Sequence, residues 1–303
     1  MNQDFINTIL SLRGKEKGQK WLDSLPGIIK SYEEKWKLKS LDVFSELSIN
    51  YVEKAKTESG QDVVLKIGFP DDEVFLDEVK TLEAYKDKGA IKILEKDMEN
   101  FVILLERCMP GNSLHTLNNE EEEVKIFAEV CKKIWKKADE VSGFKNLSGE
   151  SKYFDWYFEN LEKCRDFLPE DLVVKAKEKF YELIATPGEQ YLLHADLHHD
   201  NILKSERGWL CIDPKGMIGE REYELSVYII NPFNRFKENE DLVRKEFFAV
   251  RINLISKALN LNSKRVLAWA YIKQILSLIW TLQDYATDDK IGLRKAKELA
   301  KLI

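Results

Sequence analysis

The chain has 303 residues, with 47 Lys and Arg against 53 Asp and Glu, a formal net charge of −6, and 44 % hydrophobic residues. That is the composition of a folded globular protein rather than a disordered one, and the length favours two lobes over a single core. The acidic balance argues against nucleic acid as a partner, and the lack of an apolar run of about 18 residues argues against a membrane-spanning helix.

The first forty residues read as helical, with apolar positions at helical spacing around Pro26. Strand-like alternation then takes over in residues 41–55 and 61–69, with Ser59-Gly60 as the turn between them. Residues 71–89 carry acids in the first turn, bases in the last and Gly89 as a stop, which predicts a helix across that span. Residues 90–97 and 100–106 read as two more strands. The Pro110-Gly111 pair marks a connector, so the lobes are expected at 1–107, with its N-terminal helical extension, and 108–303. Beyond it, residues 121–140, 153–168 and 171–185 have the pattern of amphipathic helices. A β island at 191–216 interrupts them, and helix returns in the last eighty residues, notably at 266–286. Cys108, Cys131, Cys164 and Cys211 are widely spaced with no C-x-x-C pair. Four reduced thiols and no secretory pattern at the N-terminus point to a cytoplasmic protein.

Three of the four histidines fall in the β island, in His194-Ala195-Asp196-Leu197-His198-His199-Asp200-Asn201. Asp213 follows twelve residues after Asn201, and the stretch between them reads as a hairpin with Arg207-Gly208 near its tip. A hairpin would bring Asn201 and Asp213 to the bases of adjacent strands, where an amide oxygen and a carboxylate are hard ligands suited to Mg²⁺. Asp196, on the loop leading in, is placed to accept a proton from a hydroxyl nucleophile. One carboxylate to orient the nucleophile and two oxygen ligands for the metal are what phosphoryl transfer requires, and D-x4-N is the spacing of a kinase catalytic loop. Adjacent His198 and His199 seldom converge on one ion, so zinc is not expected. Glu120–Glu123 reads as an acidic first helical turn.

HADLHHDNIL…IDPKG resembles the aminoglycoside/hydroxyurea antibiotic resistance kinase family, of streptomycin 6-phosphotransferase type, within the protein-kinase-like superfamily. The stretch from Leu104 to Leu114, the run from Glu220 to Pro232, and Trp269, Trp280 and Asp284 in W-x10-W-x3-D carry the same resemblance, which covers about residues 20–290. Ala195 departs from it, since the family usually has Gly there. The resemblance implies an α+β, two-lobed fold: a small lobe with a five-stranded antiparallel sheet and one main helix, a larger helical lobe, and the active site in the cleft between them. It implies a Lys at the end of the third strand, supplied by Lys66, and a Glu on the next helix to orient it, where Glu78 is preferred over Glu73. It places a phosphate-covering segment near residues 45–50, which has no Gly, so that Ser48 and Asn50 stand in. By analogy the adenine of ATP meets the carbonyl of Arg107 and the amide of Met109. His194 is expected to brace the loop rather than react, Glu224 to position a helix, and Lys215 either to neutralise phosphate charge or to be solvated.

The function this implies is ATP- and Mg²⁺-dependent phosphorylation of a small-molecule hydroxyl. Streptomycin-type aminoglycosides come first as acceptor, then hydroxyurea or a small metabolite such as an amino alcohol or sugar derivative. A polycationic acceptor calls for carboxylates, and Asp155, Glu159, Glu220 and Asp284 are candidates, with Asn231 near the loop. Trp280 shares a helical face with Asp284; Trp269 and Trp280 both also suit a core. The competing class is a nucleotide-binding pseudokinase, which would show no slow ATP hydrolysis. A monomer or a dimer is expected.

Overall fold

The computed structural model describes residues 3–45, 47–231, 240–285 and 289–303. Glu46, Pro232 and Ala286, which belong to segments singled out above, lie outside the described residues. The chain divides into two compact units, Met1–Gly111 and Asn112–Ile303.

The first unit opens with helices α1 (Gln3–Arg13) and α2 (Lys15–Trp36), followed by β1 (Leu38–Val43), β2 (Tyr51–Thr57), β3 (Asp62–Ile67), α3 (Glu73–Tyr85), β4 (Ile93–Asp97) and β5 (Val102–Glu106). The strands form one antiparallel sheet in the order β1-β2-β3-β5-β4. Alternation along β2 buries Tyr51, Glu53 and Ala55. The first and last of these pack with Val63, Leu65, Ile67, Val102 and Leu104 against Phe5, Ile9, Trp21, Leu22 and Leu25 of the two leading helices. Glu53 is tolerated there because the hydroxyls of Ser40 and Tyr51 donate to its carboxylate at 2.7 and 2.8 Å. Helix α3 starts at the Asp72 N-cap, which accepts from the Val74 amide, and stops earlier than Gly89, at Lys86 in left-handed conformation (φ 50°). The early stop fits the burial of Ala90 and Ile91: the chain must leave the helix in time to carry them into the core.

The second unit holds α4 (Glu120–Ile134), β6 (Lys136–Lys137), β7 (Lys145–Asn146), α5 (Ser151–Glu159), α6 (Leu161–Cys164), α7 (Glu170–Ala185), β8 (Gln190–Leu193), β9 (Ile202–Ser205), β10 (Gly208–Cys211), β11 (Met217–Glu220), α8 (Arg221–Ile230), α9 (Lys245–Leu259), α10 (Ser263–Tyr285) and α11 (Lys290–Ala300). A small sheet runs β6-β8-β11-β7, and β9-β10 is a separate hairpin. The helix expected over 121–140 ends at Ile134, because Lys136 and Lys137 leave it to pair with Leu192 and Tyr191 of β8. The helix expected over 153–168 breaks at Asn160 into α5 and α6. Helix α10 is apolar over most of its surface and buries Val266, Trp269, Tyr271, Ile272, Ile275, Leu276 and Ile279, as befits a helix enclosed by others.

Candidate active site

In the first unit, Lys66 on β3 meets Glu78 on α3. Its ammonium lies 2.8 and 2.7 Å from the two carboxylate oxygens, and both side chains are 5 % exposed. Glu73, the competing partner, is the exposed first residue of α3. Ser48 is exposed between β1 and β2, whereas Asn50 is buried with its side-chain oxygen unpaired among the described residues. Arg107, just past β5, is tied by its guanidinium to Asp62 at 3.0 Å. Among the described residues no backbone bond engages the Arg107 carbonyl or the Met109 amide.

In the second unit the chain leaves β8 through a turn in which nearly every polar backbone atom is held. Glu224 on α8 is fully buried and accepts from the amides of His194 at 2.7 Å and Ala195 at 3.0 Å. Burial pushes its carboxyl up to about 7 despite those two donors. His194 is also fully buried: its Nδ1 accepts from the Asp196 amide at 3.3 Å, so the proton sits on Nε2, which donates to the Ile212 carbonyl at 2.8 Å. Burial lowers its pKa to about 4 and keeps it a neutral brace. The Lys215 amide donates to the His194 carbonyl at 2.9 Å, while its side chain is exposed. Ala195 sits at φ 66°, the left-handed region where glycine is at ease.

The Asp196 carbonyl receives the His198 amide at 3.0 Å and the Asn201 side-chain amide at 2.9 Å. That donation fixes the Asn201 amide, and no described residue donates to its Oδ1. The Ile212 amide in turn donates to the Asn201 backbone carbonyl at 3.0 Å, one residue before Asp213, itself at φ 55°. The β9-β10 hairpin therefore brings Asn201 and the chain at Asp213 together, and the oxygen of one and the carboxylate of the other are the hard donor set that suits Mg²⁺. Among the described residues no three His, Cys, Asp or Glu side chains cluster to hold a metal.

The two adjacent histidines face different partners. His198 Nδ1 accepts from the Asp200 amide at 3.2 Å. His199 stacks on Tyr228, with centroids 4.5 Å apart, and lies 3.4 Å from both Glu123 and Arg251. Arg251 also donates to Glu120 at 2.8 Å. Two acids of the first turn of α4 are thus engaged beneath the loop rather than left to solvent, and Glu123 is fully buried.

The acceptor candidates separate. Glu220 is 2 % exposed, accepts from both Arg265 and the Trp269 indole, and receives the Gly188 amide at 2.9 Å. That burial removes it from any surface an acceptor could reach, and Trp269 beside it is core. Asp155 is exposed and paired with Lys177 at 3.1 Å. Glu159 and Asp284 are exposed, and Asn231 caps α8 through its backbone. Trp280 packs edge-on against Tyr153 at 5.4 Å and under the ammonium of Lys273 at 4.6 Å. Lys273 was not among the sequence candidates. Its only signal was being the one charged residue in the apolar stretch 266–280.

A five-stranded antiparallel sheet carrying a Lys–Glu pair, and a helical unit with a D-x4-N loop, make a protein-kinase-like fold of the kind found in phosphotransferases that act on hydroxyl groups. Residues 36–285 match the family described as aminoglycoside/hydroxyurea antibiotic resistance kinase, and the chain belongs to that family. It is 25 % identical over 288 residues to streptomycin 6-kinase of Streptomyces griseus, covering 91 % of this chain and 89 % of that one. It is likewise 25 % identical over 276 residues to hydroxyurea phosphotransferase of Kitasatospora aureofaciens, covering 89 % and 77 %. Among solved structures, choline kinase LicA from Streptococcus pneumoniae superposes with a TM-score of 0.64 at 16 % identity, over 91 % of this chain and 98 % of that one, a likeness of fold.

Proposed function

We propose that the protein transfers the γ-phosphoryl group of ATP to a hydroxyl of a small molecule, with a streptomycin-type aminoglycoside as the first candidate acceptor. The observation that carries the reading is the hydrogen-bonded chain from the Asp196 carbonyl through Asn201 to the Ile212 amide, which ties the backbone at Asp196 and at the neighbour of Asp213 to Asn201. In this reading Asp196 orients the acceptor hydroxyl and takes its proton. Asn201 and Asp213 hold Mg²⁺, which when bound offsets charge on the β- and γ-phosphates. Lys66, aligned by Glu78, grips the α- and β-phosphates. Ser48 contacts the phosphates, and the Arg107 carbonyl and Met109 amide read the base. The first unit serves as the nucleotide-binding lobe and the second carries the catalytic loop and acceptor site. Positioning and electrostatics supply most of the rate, so rigid bracing of the Asp196 turn by His194 and Glu224 is part of the catalytic design.

A second reading, a small uncharged acceptor of the hydroxyurea kind, draws support from the carboxylates. Glu220 is committed to Arg265 and Asp155 to Lys177, which leaves fewer acids for a polycation. Mass spectrometry of reaction mixtures with Mg·ATP decides between them. A phosphoryl adduct on streptomycin supports the first reading, an adduct on hydroxyurea alone supports the second, and no adduct and no ADP with any acceptor contradicts both.

A further inference from the structure

Lys273 lies near the middle of α10, is 8 % exposed, and sits among aromatic rings. Its ammonium is 4.6 Å from the centroid of Trp280 and 5.3 Å from that of Tyr223. It has two oxygen partners, the Tyr223 hydroxyl at 3.2 Å and the Ala195 carbonyl at 3.4 Å, both near the long end of hydrogen bonding. Among the described residues no carboxylate lies within ion-pair distance of it. Two long hydrogen bonds and two cation–π contacts offset only part of the cost of desolvating an ammonium, and a methionine would fill the same space without that cost. Stability therefore does not account for the charge at this position.

Its location does. The Ala195 carbonyl belongs to the peptide that joins Ala195 to Asp196. The amide end of that peptide is held by His194 Nδ1, the preceding amide by Glu224, and the Asp196 carbonyl by His198 and Asn201. Lys273 supplies the remaining contact. Lys273 and Glu224, both buried, take the acceptor and the donors of the same turn, one holding a carbonyl and the other two amides. The carboxylates of Asp196, Glu150 and Glu224 all act on the ammonium, Asp196 most strongly, against the burial that lowers its pKa.

We propose that Lys273 is a positioning residue for phosphoryl transfer: its ammonium anchors the peptide that carries Asp196. This rests on the reading of Asp196 as the group that orients the acceptor hydroxyl.

The test is ADP release from Mg·ATP with water as acceptor, which needs no knowledge of the true substrate, with Asp196→Asn as control. Lys273→Met is expected to lower kcat about tenfold or more while KM for ATP stays within about twofold, because a small displacement of a reacting group is costly to rate and not to nucleotide binding. The same variant is expected to melt at the wild-type temperature or above it. Lys273→Ala should regain several-fold activity with propylammonium and none with 1-propanol. Wild-type kcat in Lys273→Met beside an inert Asp196→Asn overturns the proposal, as does equal rescue by the amine and the alcohol. Wild-type turnover in Asp196→Asn means that the reading of Asp196 has failed instead. If Lys273→Met does not fold, Tyr223→Phe, which removes one partner of the ammonium, decides: a several-fold fall in kcat at constant KM supports the anchor, and unchanged kcat overturns it.

Discussion

Glu78 meets Lys66 through both carboxylate oxygens, whereas Glu73, five residues earlier, faces solvent. The difference is helical geometry: α3 turns one acid toward β3 and the other away. Because the pair is buried, removing one partner leaves the other charge poorly compensated. Glu78→Ala is expected to cost about 3–5 kcal/mol of stability, and the double variant Glu78→Ala/Lys66→Met to recover most of it without recovering turnover. Thermal melts and ADP release on the same samples check both halves. A second residue-scale effect lies at Ala195. With φ at 66°, its Cβ is strained where glycine is not. Ala195→Gly should raise stability by about 1 kcal/mol, read as a shift in the denaturation midpoint. The sequence showed the residue type here; the sign of its backbone angle came only with the fold.

At the scale of elements, local signals were readable and distant ones were not. The strands of the first unit, the β9-β10 hairpin and the loop at Asp196 announce themselves by alternation, turn residues and spacing. The two-residue strands β6 and β7 have no pattern of their own, and pairing of β6 with β8 ended α4 where its sequence reads on as helix. The supports of the Asp196 turn were equally hidden. Lys273 contacts a carbonyl 78 positions away in sequence, and Arg251 lies against a histidine 52 positions away. Glu224, expected to position a helix, instead holds the turn through two amides, and that has a consequence in pH. Burial raises its carboxyl from an ordinary value near 4.5 to about 7. Between those values the folded state keeps a proton that the unfolded chain releases. Its contribution to stability is thus full below about 4.5 and lost as pH rises through about 7, a change on the order of 3 kcal/mol. Denaturant titrations across that window should show the wild type losing stability with rising pH relative to Glu224→Gln. Parallel curves for the two proteins would show that Glu224 is ionised throughout.

For the whole molecule, the succession of a sheet unit and a helical unit, and the class of reaction, could be read because kinase chemistry needs a few polar residues at fixed spacings. The acceptor could not, because recognition depends on which acids remain available after folding, and Glu220 and Arg265 find each other across 45 positions of sequence. In the proposed reaction Asp196 performs the transfer while Asp213 serves the metal. Both roles are tested by ADP release from Mg·ATP over a panel of streptomycin, other aminoglycosides, hydroxyurea and small alcohols, run on wild type, Asp196→Ala and Asp213→Ala with ATP binding measured alongside. Asp196→Ala is expected to lose about 10²–10⁴-fold in turnover with ATP affinity retained, and Asp213→Ala to raise the Mg²⁺ requirement. Unchanged turnover in Asp196→Ala, or a normal Mg²⁺ dependence in Asp213→Ala, would contradict these roles.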